Sequence, residues 1–407
     1  MLPVLPLLLL ATRVYGGHVV KHDTTCIVQP SGNFTDDSPA IVEAFTLCGQ
    51  GGMIEFLNET YWIEKVMNTT GLNDVQIDLR GTLLWSAANI SYWLENSLPL
   101  GYQNQSSAWF LGGNNITFNG HGYGTFNGNG QIWYDYTKGV SNLAGRPHAL
   151  TIWETNNSTF TGIRFLQSQM WTMTLAYSSF VNMSDIFVSS LSNDSEPARN
   201  TDGADTLGSH HIIFRGWEVH NGDDSIAMKR NSSDILIENS SFYTGLGVAI
   251  GSIGQYLDEV EFVERVLTRN CSFIGTRYVG YIKTWTGVQQ GFPPNGGGGG
   301  TGWVRDVAWT NSTLSQIVLQ PAEITQCTTF SGAVGECDTS TLQISNITWS
   351  GLEGSITNSS IADLECSGAA PCQNLEILNS NFILGTNATA GTYSCHAVTS
   401  TEGFTCS

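Results

Sequence analysis

The chain has 407 residues, with 35 acidic side chains against 16 lysines and arginines and a formal net charge of −19. That balance makes nucleic acid and anionic membrane surfaces poor partners, and after the first sixteen residues no stretch approaches the ~18 uninterrupted apolar residues of a membrane span. Length alone would allow two or three globular domains, yet a solenoid this long is one unit, because each coil touches only its neighbours.

The first element is an apolar run, Leu2 to Ala11, followed by Val14-Tyr15-Gly16. It reads as a secretory signal over residues 1–16, which leaves 17–407 as a single domain and predicts a secreted protein. Sequons at Asn33, Asn58, Asn68, Asn104, Asn182, Asn231, Asn311, Asn346 and Asn387 fit a glycosylated surface. The cysteines fit an oxidising compartment, and their spacing suggests the local pairs Cys26 with Cys48, Cys327 with Cys337, Cys366 with Cys372, and Cys395 with Cys406, leaving Cys271 buried and free. A short amphipathic helix over Ala40 to Cys48, ended by the Gly49 to Gly52 segment, is expected to cap one open end of the fold.

Beyond it, short β-branched runs recur, among them Asn115-Ile116-Thr117-Phe118, Asp185-Ile186-Phe187-Val188, His211-Ile212-Ile213-Phe214, Asp234-Ile235-Leu236-Ile237 and Asn346-Ile347-Thr348-Trp349. Most intervals are about 22 to 30 residues or roughly double that, without a helical pattern between them, and match one coil of three short strands and three turns. The expected fold is therefore all-β, a single-domain right-handed parallel β-helix; a β-sandwich would repeat about every 8 to 12 residues. The segment Pro293-Pro294-Asn295 with the glycines that follow is either a surface loop or the rim of a cleft.

The stretch Asn200-Thr201-Asp202-Gly203-Ala204-Asp205 and, one coil later, Asn221-Gly222-Asp223-Asp224-Ser225-Ile226 place several acids in a chain poor in charge. At 21 residues' separation Asp202 and Asp223 would stack on neighbouring rungs about 4.8 Å apart. Carboxylates this close do not ionise independently, so one keeps a proton beside charged neighbours, the acid and base that glycosidic hydrolysis needs. A calcium site or coil-capping turns would use the same residue types. No Cys-X-X-Cys or i, i+4 histidine pair is present, and neither metal nor cofactor is expected.

Asn200-Thr201-Asp202, Gly222-Asp223-Asp224, Gly245-Leu246-Gly247 with Ile250-Gly251-Ser252, and Tyr281-Ile282-Lys283 resemble, in order and spacing, the four signature blocks of the polygalacturonases, glycoside hydrolase family 28. The glycine-rich run Gly122 to Gly130 before Trp133 and the pair Arg146-Pro147 resemble upstream blocks, so the likeness spans nearly the whole chain and leans towards the exo-acting branch of galacturan 1,4-α-galacturonidases and exo-rhamnogalacturonases. The resemblance implies Asp223 as general acid, Asp202 and Asp224 as water-activating carboxylates, Lys283 on a substrate carboxylate, and Asn200 orienting the acids or a sugar hydroxyl. It also implies inversion, although carboxylates on adjacent rungs are closer than the roughly 6.5–9.5 Å usual for inverting enzymes.

Three departures stand out: Leu246 replaces the family histidine, Tyr281 the arginine, and Ser225 a cysteine. Tyr281 and Trp285 would then offer aromatic faces to a sugar, with Arg277 a possible stand-in for the arginine. Trp171 and the pair His210 and His211 read as packing and turn residues. The expected activity is release of terminal galacturonic acid from polygalacturonate and oligogalacturonates by a monomer, with long insertions such as Gly287 to Gly302 closing one end of the cleft. The alternatives are an α-L-rhamnosidase or exo-rhamnogalacturonase on the same fold, a pectin lyase, and a carbohydrate-binding wall protein without catalysis.

Overall fold

The computed structural model describes residues 17–330, 335–385 and 390–407, so the expected signal segment 1–16 and the sequon at Asn387 lie outside the described residues. The chain winds as a parallel β-helix. Most of its strands join one continuous sheet system in which, beyond an antiparallel first pair, strands pair in parallel with those of the coil before and the coil after. The wall that carries the acids runs through Leu150–Trp153, Met173–Ala176, Ala204–Leu207, Asp224–Met228, Gly247–Ile253, Gly280–Trp285 and Ala322–Thr328.

The tight corners explain the recurring Asn and Asp. Asn157, His211, Asp234, Asp306, Asn346 and Asn374 all have φ near the left-handed value, between 49° and 58°. Each interrupts the ladder at the same rung position, one residue after pairs such as His210↔Ser233 and one before pairs such as Ile212↔Ile235. Asn and Asp tolerate that conformation better than other residues with a Cβ. The aliphatic residue after most of these corners points inward, so Ile212, Ile235, Val266, Val307, Ile347 and Leu375 stack as a continuous file. All six are buried. Of the sequon asparagines, Asn33, Asn104, Asn231, Asn311 and Asn346 are themselves left-handed.

The capping helix begins slightly earlier than expected, at Ser38, and ends at Cys48, with Pro39 in its first turn. It buries Ala40, Ile41, Ala44 and Phe45 over the first coil, and the Cys26–Cys48 disulfide ties it to the strand Thr25–Gln29. The other three expected disulfides are present, and Cys271 is free and buried. Burial in the core pushes its thiol up to about 12. Two further short helices, Ile90–Asn96 and Gly130–Thr137, were not foreseen. The second forms because Trp133 and Tyr134 are both drawn into the core, the Tyr134 hydroxyl donating to the Ser168 carbonyl at 3.0 Å.

Gly280 opens the strand that carries Tyr281 and Lys283, and a Cβ there would lie 2.1 Å from the Trp309 ring, which is itself stacked on Trp349 at 5.3 Å. Gly280→Ala is therefore expected to destabilise by about 1–3 kcal/mol through overpacking. A thermal unfolding midpoint equal to that of the parent chain would contradict this placement.

Candidate active site

Asp202 ends the turn before the strand Ala204–Leu207, and Asp224 opens the strand one rung on. The register Ala204↔Ile226, with the Gly203 N–H donating to the Asp224 carbonyl at 3.0 Å, sets Asp202 beside Asp224. This corrects the expected stacking of Asp202 on Asp223, which lies one residue earlier, at the lip of the turn. Oxygens of the three carboxylates lie within 4.8 Å of one another.

Backbone amides fix Asp223: Asn200 N–H donates to one carboxylate oxygen and Asp224 N–H to the other, each at 3.0 Å. Asn200 can do this because it sits in the left-handed region, at φ 57°. Its side chain faces elsewhere and accepts from the Asn142 N–H at 2.8 Å, so the expected contact with the acids is made by its backbone. Asn221, buried under the turn, donates from one amide to the carbonyls of Thr201, Asp223 and Asp224 at 3.0, 3.0 and 2.8 Å. That clamp stitches the two acid-bearing turns together, and sequence reading gave it no role.

Beneath the acids lies a lysine that sequence reading missed. Lys229 Nζ is 3.0 Å from Asp205, 3.7 Å from Asp224 and 3.9 Å from Asp202, donates to the Gly251 carbonyl at 3.0 Å, and stands 4.8 Å over the Trp171 ring. Trp171 thus lines the site, backed by His148 at 4.4 Å, beyond the packing role expected of it. The available signals were a lysine closing the apolar strand Asp224–Met228 and an acid three residues after Asp202. His210 and His211 are remote, bound to Ser233 and stacked on Phe180 respectively.

Tyr281 and Trp285 depart from expectation. Tyr281 is 4 % exposed and packs with Ala227 and Ala249, the small residues on the two rungs before it. Lying across them, it brings its hydroxyl to Asp224, to which it donates. It presents no ring face to a sugar. Trp285 is 1 % exposed and packs edge-on against Phe330, after a register irregularity between Lys283 and Trp285, so it does not reach the cleft. Lys283 donates to Asp224 at 2.8 Å and to the Tyr281 hydroxyl at 3.0 Å.

The carboxylates are consequently unequal. Burial pushes Asp224 up, but Lys283, Lys229 and the Tyr281 hydroxyl outweigh it and hold the group below its ordinary value. Burial and the charge of Asp224 raise Asp223. Asp202 lies well above the usual carboxylate range through burial and its three acidic neighbours, and burial takes Asp205 to about 7 against the pull of Lys229. Lys229 is held charged by the acids around it.

Two lobes of cleft meet at the acids. One, about 180 Å³, is lined by Trp171, Asp202, Asp224, Lys229 and Lys283 with Gln103, Asn142 and Phe330; the other, about 340 Å³, contains Arg277 and Pro197, and both share Arg199, Asp223 and Leu246. Loops meet at the narrower lobe. The Asn142 amide donates to the Asn295 side chain and the Asn295 amide to the Ser141 carbonyl, both at 3.1 Å, while Gln255 donates to the carbonyls of Pro294 and Gly296 at 3.0 Å.

The model of the glycosyl hydrolases family 28 matches residues 62–406. The chain belongs to this family. Alpha-L-rhamnosidase rgxB of Aspergillus niger is 49% identical over 405 residues, covering 99% of this chain and 94% of that protein. Exopolygalacturonase of Cochliobolus carbonum is 35% identical over 310 residues, 75% of this chain and 68% of that one. Among solved structures, the endo-xylogalacturonan hydrolase of Aspergillus tubingensis superposes with a TM-score of 0.79 at 22% identity over 94% of this chain and 98% of its own. This family 28 chain is a pectin-degrading hydrolase.

The buried charges predict how its stability depends on pH. Asp202, Asp205 and Asp223 hold protons in the folded chain that an unfolded carboxylate would release near pH 4. From about pH 4 to the value near 7 of Asp205, the native state binds more protons, so stability falls as pH rises. Asp224 and Asp234, depressed when folded, act with the opposite sign and lose their contribution as pH falls below about 4. The thermal midpoint is expected to be highest in mildly acid buffer and lower at pH 7, and Asp205→Asn should flatten that slope. A midpoint rising steadily towards neutrality would refute the arrangement. Lys229→Met, which strands Asp205 without its counter-charge, should cost about 3–5 kcal/mol at neutral pH and less in acid.

Proposed function

We propose that this family 28 chain is a secreted, exo-acting hydrolase that removes a terminal neutral deoxy sugar of the rhamnose type from pectic chains that also carry galacturonate. The observation that carries this reading is the occupation of the two lysines in the narrower lobe. Lys283 is bound to Asp224 at 2.8 Å and Lys229 to Asp205 at 3.0 Å, and the position where the polygalacturonase signature has an arginine holds a tyrosine also committed to Asp224. A uronate beside those lysines would meet a surplus of acid, with Arg199 at the junction of the two lobes as the cation not held by an acid. The 49% identical relative is named an α-L-rhamnosidase, which supports the same reading.

The roles follow from the charges. Asp223, raised and at the junction of the lobes, gives its proton to the glycosidic oxygen as that bond breaks. Water held between Asp202 and Asp224 attacks the anomeric carbon and passes its proton to Asp224, the ionised one of the two, while the protonated Asp202 orients it. Two carboxylates side by side on adjacent rungs suit the holding of a water, whereas a retaining nucleophile needs only one; on that ground we infer inversion despite the 4.8 Å cluster. The cross-bonded loops at the narrower lobe leave room for a chain end, which supports exo action.

The reading centred on galacturonic acid is favoured by the relative named exopolygalacturonase, and it requires Lys283 to leave Asp224 for the substrate. A product time course on rhamnogalacturonan fragments, polygalacturonate and p-nitrophenyl α-L-rhamnoside separates the two. Rhamnose as the first monomer is expected, with Asp223→Asn lowering kcat by about 10²–10⁴; galacturonic acid released from the start would reverse the choice of sugar. An ultraviolet-absorbing unsaturated product would mean elimination, and no release at all a binding protein. Proton NMR of the first-formed sugar should show the inverted anomer.

A further inference from the structure

Two arginines of this strongly acidic chain stand unneutralised at the second lobe. Arg277 is exposed and bonds through its backbone N–H to the Gly245 carbonyl, while its guanidinium pairs with no carboxylate among the described residues. Arg199 is also exposed; its guanidinium donates to the Gly139 carbonyl at 3.0 Å and pairs with no carboxylate among the described residues. Of the other arginines at the surface, Arg80, Arg215, Arg230, Arg265, Arg269 and Arg305 are each held by an acid, and Arg164 lies over the Phe187 ring. Both free guanidiniums line the lobe of about 340 Å³ whose remaining walls are Pro197, Ala198, Gly222 and Leu246, and whose inner edge is Asp223.

We propose that this lobe binds the sugar on the leaving-group side of the scissile bond, and that Arg277, assisted by Arg199, recognises that sugar's carboxylate. Resting on the reading above, the argument runs through Asp223, which lines both lobes and must face the departing oxygen. The narrower lobe is bounded by the loops joined through Asn142 and Asn295, so the remainder of the chain leaves through the other. A planar guanidinium with free N–H groups matches a carboxylate in a bidentate manner, and Leu246 and Pro197 supply apolar surface for the ring. The sugar released meets two lysines already bound to acids, whereas Arg277, which lines only the larger lobe, is left for the sugar behind it.

The test compares kcat/KM on rhamnosyl-galacturonate oligosaccharides with kcat/KM on the same oligosaccharides after reduction of their carboxyl groups. The parent enzyme is expected to prefer the acid form, and Arg277→Gln to reduce that preference by about tenfold or more, the scale of a lost charge-assisted hydrogen bond. Equal losses by the variant on both substrates, or an undiminished preference, would overturn the proposal. A second arm needs no turnover: titration of methyl galacturonide and methyl galactoside by NMR, where the acid should bind the parent more tightly and Arg277→Gln should erase the difference. If rhamnosides prove inert while that difference exists and disappears in the variant, the released sugar has been misassigned and the carboxylate site stands. If no difference exists, the carboxylate site falls whatever the released sugar.

Discussion

Rungs of a parallel sheet lie about 4.8 Å apart, and that spacing is the constraint on which the catalytic face depends. A carboxylate on one rung is within strong Coulombic reach of the next, and there is little water between them to weaken the repulsion. Asp202, Asp205, Asp223 and Asp224 crowd two successive rungs, and the arrangement is tolerable because cations are built into it from below and beside. Lys229 lies under the cluster and touches three of the four acids, while Lys283 reaches Asp224 from two rungs on. Buried charges stabilise one another only when each is paired. The same pairing sorts the acids: the best-paired, Asp224, stays charged, and the less compensated keep their protons.

The fold was legible because its corners are local. A residue in the left-handed region once per coil is a demand on the backbone alone, and Asn, Asp and Gly meet it in any surroundings. The inward residue that follows each corner is buried on a rung like its predecessor's, so its type repeats too. These two demands together produced the visible period of Asn or Asp followed by Ile or Val, and the strands stand where that period puts them. Sequon density has a second cause in the same geometry, since several sequon asparagines are corner residues. Glycosylation therefore does not follow from their number. Local cysteine pairing was legible for a similar reason, because neighbouring coils bring nearby sequence into contact.

The site was legible only in part. The acids announce themselves by composition, but what neutralises them depends on register and on the size of intervening side chains. Lys229 looked like the polar end of a strand, and only the stacking of rungs puts it under three carboxylates. Tyr281 was read as a platform for sugar; Ala227 and Ala249, with no bulk to hold it upright, let it lie down on Asp224 instead. Trp285 was misplaced because a register shift two residues earlier breaks the alternation that would have faced it outward. One slip in a strand exchanges its faces.

The replacement of the family histidine by Leu246 takes on a physical meaning in this setting. Leu246 lines both lobes beside Asp223, and its backbone N–H donates to the Asp223 carbonyl at 2.8 Å. An imidazole at that point would bring a donor, and in acid a positive charge, next to the Asp223 carboxyl, lowering the affinity of that carboxyl for its proton. A leucine brings apolar surface, which has the reverse effect. Asp223 is then raised by burial and by Asp224, with Tyr281 and the two lysines taking over the task of keeping Asp224 ionised. Losing the histidine and the arginine is thus one coherent change. Charge control moves from the rim of the cleft to its floor, and the rim of the larger lobe is left to Arg199 and Arg277.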